Sequence, residues 1–520
     1  MRVDGPKLDR DNMDWVADLP AKWAALTPDK PAILCGERSV SYAWLDRRAA
    51  ALCARWQAAG LREGDRIGYL GLNSEVFWYV FFAAARGGFL LASYNWRNAV
   101  REMEHAFSDS APSLLYYDTA LQNIIDDAGH ALPETCQRET VEALSASLTD
   151  ASDTPKDAPR RFEQPLMLMY TSGTTGTPKG ALLPHGMLSQ FSRSYAATPQ
   201  WEDWQADDVA ISVLPNFHIA GIGFMLMGLS VGATMVQSAN PAPDNLIRLL
   251  HAHKADRIYL VPTLLRMMVD AIDASGEPAP RIKGIYYGAA PISPAFLERT
   301  IRMFGCGFTQ FYGMTECSTT HVLGPRQHDA AQPDLKLTVG QPLAGVSCEI
   351  RRPDGTLCAA DEPGEIWLRS EMQMIGYWNR PDATAEAIVD GWYRSGDGGC
   401  VTGDGFLRLT DRLKEMIVTG GENVYPVQVE NVLREHPAVA EVAVVGLPDE
   451  KWGEAVTAVI ELRAGAEAPD TEALRAFGRS GLAGYKLPRR VEVLEALPRT
   501  AAGKGQRGRA RQMVLERAGK

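Results

Sequence analysis

Up to Pro342 the apolar positions follow two rhythms. Between residues 42 and 60, Ala49, Leu52, Cys53 and Trp56 recur at helical spacing and predict a helix with one buried face. Residues 65–72 predict a strand, Asn73 or Ser74 a helix cap, and Gly87-Gly88 a helix end, after which residues 89–94 return as a strand. The run Val76-Phe77-Trp78-Tyr79-Val80-Phe81-Phe82-Ala83-Ala84-Ala85 is apolar on all sides, but it is only about half the length of a membrane span and predicts a core helix. Short apolar runs at 166–170, 209–214, 257–261, 284–287 and 308–311 each lead into a polar or Gly-containing turn. This alternation predicts an α/β fold whose large N-terminal domain has mostly parallel sheets flanked by helices.

Past Pro342 the strands shorten and Asp-Gly turns appear at Asp354-Gly355, Asp390-Gly391 and Asp404-Gly405, which predicts a β-rich subdomain. A boundary is expected near Asp411-Arg412-Leu413-Lys414, dividing the chain into residues 1–410 and 411–520. In the second part, helices are expected at 426–436 and 471–482, and strands at 439–445 and 455–462, giving a small, mobile α+β domain.

The 520 residues are too many for one ordinary core, so two or more domains are expected. An apolar fraction of 46% and a charged fraction of 22% are those of a soluble globular protein. The net charge of −11 argues against nucleic-acid binding, which needs a basic footprint. Eight cysteines (Cys35, Cys53, Cys136, Cys306, Cys317, Cys348, Cys358, Cys400) are scattered without a CxxC pair, a pattern of reduced thiols. Residues 1–20 alternate charge and carry no apolar segment, so a cytoplasmic location without a signal peptide is expected. No transmembrane segment is expected either; peripheral membrane contact and a homodimer are left open.

The apolar segment 166–170 runs into Thr171-Ser172-Gly173-Thr174-Thr175-Gly176-Thr177-Pro178-Lys179-Gly180. A strand entering such a loop suits a polyphosphate: glycines permit close backbone approach, amides and hydroxyls donate hydrogen bonds, and Lys179 adds a point charge. The spacing is not that of the common P-loop. In Phe311-Tyr312-Gly313-Met314-Thr315-Glu316 an aromatic can stack on a base and a carboxylate can hold Mg²⁺ against phosphate oxygens. Further motifs are His218 after Leu214-Pro215-Asn216-Phe217, the turn Tyr287-Gly288-Ala289-Ala290-Pro291, and Tyr393-Arg394-Ser395-Gly396-Asp397. Asp411-Arg412-Leu413-Lys414-Glu415, Gly420-Gly421-Glu422-Asn423-Val424-Tyr425-Pro426 and Pro498-Arg499-Thr500-Ala501-Ala502-Gly503-Lys504 complete the series.

In type, order and approximate spacing these motifs resemble the adenylate-forming superfamily, which includes acyl-CoA synthetases, peptide-synthetase adenylation domains and luciferases. The resemblance runs from about residue 15 to 510. Its C-terminal part, with Asp449-Glu450-Lys451-Trp452-Gly453-Glu454, is most similar to bacterial fatty-acyl-CoA and related synthetases. It implies that Thr171, Ser172, Gly173, Thr174, Thr175, Gly176 and Lys179 hold the ATP β- and γ-phosphates, and that Thr171 with Glu316 organises Mg²⁺. Tyr312, Gly313 and Thr315 belong to the adenine-side motif, where Tyr312 and the Gly288-Ala289-Ala290 turn embrace the base. Asp397 accepts the ribose hydroxyls, a task for an acceptor-only carboxylate, with Arg412 assisting. Lys504 bridges the substrate carboxylate and the α-phosphate. Lys414 is the hinge whose rotation withdraws Lys504 and brings Gly420 and Gly421 to the CoA path, while Trp452, Tyr485 and Arg489 resemble positions meeting the CoA nucleotide. His218 is implied as a gate rather than a base. Gly505 and Gly508 depart from the family's bulkier residues and argue against a helix directly after Lys504.

The acid pocket is expected from Gly221, Ile222, Gly223, Met225, Val261, Leu264, Tyr286 and Met314. These residues offer no charge to pair with an amino-acid ammonium, which favours an aliphatic or aryl acid. Gly221 and Gly223 suggest a deep slot for a medium or long chain. The leading expectation is a fatty-acyl-CoA synthetase; the alternatives are an aryl- or cyclic-acid CoA ligase and a catalytically silent nucleotide-binding module.

Overall fold

The computed structural model describes residues 1–8, 13–148, 155–171, 178–201, 204–290, 292–328, 333–412, 415–419, 422–449, 452–479, 481–499 and 505–518. Two large sheets carry the first part of the chain. In the seven-stranded sheet the order is Gly376–Tyr377, Lys179–Pro184, Pro165–Thr171, Leu90–Ser93, Arg66–Leu70, Leu114–Tyr117, Gln137–Thr140. Its last five strands are parallel, and Pro165–Thr171 with Lys179–Pro184 forms an antiparallel hairpin at one side. In the nine-stranded sheet Thr234–Gln237, Val209–Ser212, Arg257–Leu260, Gly284–Gly288 and Gly307–Met314 lie side by side and parallel. Strands Arg257–Leu260 and Gly284–Gly288 are buried at every residue, which is why they read as unbroken apolar runs.

Several local expectations hold. The helix Tyr42–Ala58 is capped by Ser41, whose hydroxyl accepts from the Trp44 amide. The helix Glu75–Gly87 has nearly every residue buried and ends at Gly88, whose left-handed φ of 72° suits glycine. Its N-terminus differs from expectation. Ser74 occupies the cap position but accepts no helix amide; its hydroxyl lies 3.1 Å from that of Tyr69. Asn73 instead stitches the two sheets together, donating to the Leu214 and Ser238 carbonyls and accepting from the Asn216 amide.

A third, antiparallel sheet contains Arg2–Asp4, Val346–Arg351, Gly364–Ser370, Trp392–Val401, Ile388–Val389 and Leu407–Arg412. Asp390 and Gly391 both have positive φ (51° and 77°) and close the two-residue hairpin between Val389 and Trp392. A fourth sheet is built wholly from residues 417–493, in the order Glu422–Val424, Ile417–Thr419, Gly453–Leu462, Val439–Asp449, with Arg490–Val493 beside Gly453–Leu462. Ile417, Val429, Leu433, Val444, Ile460 and Leu474 belong to its own apolar core.

The helix Pro426–Leu433 covers most of its expected range, whereas Thr471–Gly478 stops four residues short of 482. The Gly481 and Leu482 amides turn back to the Gly478 carbonyl and close the helix there. The helix Arg507–Ala518 does form, contrary to the argument from Gly505 and Gly508. Arg507 makes a two-pronged ion pair with the buried Glu430 (2.6 and 2.7 Å), and Ala510 and Val514 enter the core, so tertiary contacts outweigh the cost of one internal glycine.

Candidate active site

The site lies where both large sheets present strand ends. Thr171 ends one strand and Lys179 opens the next, the two being partners in the hairpin. Residues 172–177, including Ser172, Gly173, Thr174, Thr175 and Gly176, lie outside the described residues. The Thr171 hydroxyl donates to the Lys179 carbonyl (3.3 Å) and stands 3.5 Å from a Glu316 carboxylate oxygen. The Lys179 ammonium sits 5.2 Å from the centre of the Tyr377 ring.

Glu316 is buried, and the Tyr377 hydroxyl donates to its Oε1 at 2.9 Å. Burial, reinforced by the Glu316 charge, raises the pKa of the Tyr377 and Tyr393 phenols well above the ordinary value, so both remain donors. Neither tyrosine was singled out from the sequence. Tyr393 opens the Tyr393-Arg394-Ser395-Gly396-Asp397 motif, which assigns it no task, and Tyr377 belongs to no motif. Among the described residues no group of three His, Cys, Asp or Glu side chains gathers as a metal site. A hard cation at Glu316 fits the other common arrangement, one carboxylate supplemented by substrate phosphates.

The turn expected to face the nucleotide is set by close strand approach. A Cβ on Gly288 would stand 2.4 Å from the Phe311 carbonyl of the neighbouring strand, so only glycine allows this register. Ala289 follows with φ 65°, turning the chain away, and Ala290 comes next. Tyr312 is buried and donates to Asp397 Oδ2 at 2.7 Å. That bond fixes the carboxylate while leaving acceptor capacity for a diol. Arg412 is the cross-strand partner of Asp397. Gly313 lies at an irregularity in its hairpin, with the Ser318 carbonyl 2.0 Å from where its Cβ would stand, and Thr315 begins the turn leading to Glu316.

His218 caps the helix Ile219–Ser230 by position, with its ring 4.7 Å from that of Phe217. Its Nε2 is enclosed without a partner, and burial, with Arg97 nearby, lowers the pKa to about 4; it is neutral at pH 7. The loop before it is held by a buried polar chain: the Trp78 indole donates to Gln237, and Gln237 donates to Asn216.

Next to Ala289 and Gly313 lies a cavity of about 80 Å³, with walls of Phe191, Tyr195, Phe224, Tyr259 and Phe311. Of the expected pocket residues, Gly223 and Met314 border it. The others do not. Ile222 and Met225 face the core, Tyr286 is stacked 5.7 Å behind Phe311, and Val261 and Leu264 pack into the apolar clusters. Gly223 borders the smaller cavity, whereas Gly221 borders neither of the two cavities described. A Cβ on Gly221 would meet the Pro215 carbonyl at 2.3 Å, and one on Gly223 would meet the Phe191 ring at 2.2 Å, so both glycines are needed for packing. Ser318, unforeseen from sequence, borders this cavity with φ 58° and a buried hydroxyl without a partner. A second cavity of about 220 Å³ adjoins it and shares Tyr195 and Met227 as walls.

In the C-terminal part, Lys504, Lys414, Gly420 and Gly421 lie outside the described residues. Arg499 and Gly505 pair as a bridge on either side of the Lys504 segment. The Arg489 guanidinium stacks on Trp452 at 3.8 Å, and Tyr485 is partly exposed on a short turn that touches the strand Glu422–Val424. These three residues therefore share the C-terminal unit.

Residues 20–378 match the family described as AMP-binding enzyme, and residues 428–504 match the AMP-binding enzyme C-terminal domain. The chain is 35% identical over 480 residues to a fatty acid–[acyl-carrier-protein] ligase, ScoC, of Streptomyces coeruleorubidus, covering 92% of each chain. It is equally 35% identical over 503 residues to a feruloyl-CoA synthase of an Amycolatopsis species, covering 95% of this chain and 98% of the relative. The fold is similar to that of the o-succinylbenzoate CoA synthetase of Bacillus subtilis in complex with its acyl-adenylate intermediate, with TM-score 0.82, 29% identity, and 94% and 97% of the two chains covered. With matches over nearly its whole length, the chain belongs to the adenylate-forming AMP-binding enzymes, as a member of their AMP-forming acyl-CoA ligase branch.

Proposed function

We propose that this ligase activates an apolar, aromatic-bodied carboxylic acid. The acid oxygen bonds to the ATP α-phosphorus as pyrophosphate leaves. The CoA sulfur then bonds to the acyl carbon, and AMP leaves. The observation that carries the substrate reading is the wall of the smaller cavity, where five of the side chains beside the nucleotide turn are Phe or Tyr rings. Such a wall stacks on a flat acid and offers no charge for an ammonium group.

The catalytic assignments follow the same reading. Thr171 and Lys179 flank the phosphates, and Glu316, held by Tyr377, would hold Mg²⁺, whose charge offsets that of the phosphate oxygens. Tyr312 fixes Asp397 against the ribose. Neutral His218 suits a gate; a thiol of pKa about 8.5 needs no strong base. Lys504 supplies charge at the α-phosphate, and a turn about Lys414 exchanges it for Gly420-Gly421 and the Trp452–Arg489 face, with residues 411–520 moving as the second domain.

A fatty acid is the second reading, and the adjoining cavity of about 220 Å³ favours it, because a chain passing Tyr195 and Met227 would find room there. The test is CoA- and acid-dependent AMP formation across short, medium, long and aromatic acids, with a carrier protein as an alternative thiol. Aryl acids should give the highest kcat/KM; a monotonic rise with aliphatic chain length would establish the second reading instead. ATP left intact with every acid would refute both.

A further inference from the structure

Both strands of the hairpin that holds Thr171 and Lys179 are tied to one helix, Val100–Ser110, by two polar side chains. This helix packs through Met103, Ala106 and Phe107, which enter the apolar core. His105 and Asp109, four positions apart, share the opposite, half-buried face, so their bonds come in addition to that packing. The His105 Nε2 lies 3.0 Å from the Pro178 carbonyl oxygen; a carbonyl only accepts, so Nε2 carries the hydrogen. Pro178 directly precedes Lys179, and the bond therefore holds the peptide that joins them. On the other strand the Tyr170 hydroxyl, one residue before Thr171, donates to Asp109 Oδ2 at 2.9 Å.

Asp109 also reaches the partner of Glu316. The Trp378 indole donates to the Asp109 main-chain carbonyl at 3.0 Å, and the Asn379 amide nitrogen lies 3.4 Å from the Asp109 carboxylate. The Trp378 amide in turn donates to the Gly180 carbonyl at 2.7 Å. Trp378 and Asn379 directly follow Tyr377, whose hydroxyl holds Glu316 and whose ring stands beside the Lys179 ammonium. Lys179 and Tyr377 belong to the seven-stranded sheet, whereas Glu316 lies in a turn of the nine-stranded one. The separation of Lys179 from Glu316 is therefore set by whatever holds these segments together, and helix Val100–Ser110 bonds to each segment on the Lys179 side.

We propose that His105 and Asp109 are positioning residues for the ATP phosphates: His105 fixes the Pro178–Lys179 peptide and Asp109 fixes Tyr170 and the segment after Tyr377, so that Lys179 and Glu316 keep the separation a triphosphate requires. The inference rests on the ligase reading above and adds to it two residues that act through Lys179 and Tyr377 rather than on the substrate.

The test uses the full-length enzyme and separates the half-reactions: acid-dependent pyrophosphate release from ATP, and thioester formation from a supplied acyl-adenylate and CoA. His105→Ala should raise KM for ATP about three- to tenfold, the scale of one lost hydrogen bond, with KM for the acid and thioester formation from the supplied adenylate unchanged. ATP should also raise the melting temperature of the native protein more than that of the variant. His105→Gln returns an N–H near the Nε2 position and should recover most of the native KM, whereas His105→Asn is too short and should resemble His105→Ala. Asp109→Ala should lose and Asp109→Asn, which keeps an acceptor, should recover in the same way. In a Lys179→Ala background His105→Ala should add little, because the two act through one contact. An unchanged KM for ATP, an equal loss in both half-reactions, or full additivity with Lys179→Ala would overturn the proposal. Should the alanine variants not fold, the comparison of Gln with Asn at position 105 decides it. Native turnover matched by every variant sinks this inference alone, whereas ATP left intact by the native enzyme with every acid sinks the ligase reading with it.

Discussion

The ring of Phe191 fills the space that a side chain on Gly223 would need, its Cζ lying 2.2 Å from where the Cβ would stand. Both residues border the smaller cavity, so the ring's position sets its width. Gly223→Ala should push that ring into the cavity. Overpacking of this kind costs about 1–3 kcal/mol, so the melting temperature should fall, and KM for the acid should rise with KM for ATP unchanged. Phe191→Leu should do the opposite for bulky acids. Unaltered acid kinetics in both variants would show that this wall does not meet the substrate.

Tyr377 donates to Glu316, the carboxylate nearest the phosphate-loop ends. A hydrogen bond to a charged group contributes about 1.5–3 kcal/mol, so Tyr377→Phe should lower kcat/KM for ATP by roughly ten- to a hundredfold. Part of the loss should be recovered at raised magnesium if the bond orients the carboxylate toward the cation. Pyrophosphate release measured against magnesium concentration checks this.

Four histidines, His185, His218, His321 and His328, are buried deeply enough to stay neutral at pH 7. Burial lowers the pKa of His185, His218 and His328 to about 4 and that of His321 to about 3. The unfolded chain takes up protons near pH 6.5 while the folded protein does not, so stability is full above that pH and falls as the pH drops toward 4. At pH 5 each contributes a loss on the order of 2 kcal/mol, and together the losses approach the whole stability of an ordinary domain. Thermal melts at pH 7, 6 and 5 should show a steep decline, shallower in His321→Gln.

Lys504→Ala should abolish acyl-adenylate formation, with a loss of at least the roughly 10²–10³ expected for one preorganised cation, yet spare thioester formation from a supplied adenylate. Lys414→Pro should do the reverse by stiffening the hinge. Equal damage to both half-reactions in both variants would refute alternation of the two domains.

Local chemistry determined much of this protein before any packing was considered. Glycine at 288 and 313, Asp-Gly turns and apolar parallel strands depend on backbone sterics and hydrogen-bonding capacity, properties a residue carries into any context. The alternating architecture followed from them. Tertiary structure alone decided the pocket. Ile222 and Met225 are as apolar as Phe191 and Phe224, and only the rotation of the helix Ile219–Ser230 against its neighbours selects which residues face the cavity. Gly223 looked like empty space because its occupant, Phe191, comes from another helix. The helix after Lys504 likewise forms through Arg507 and Glu430, 77 positions apart, a contact that sequence propensity does not encode.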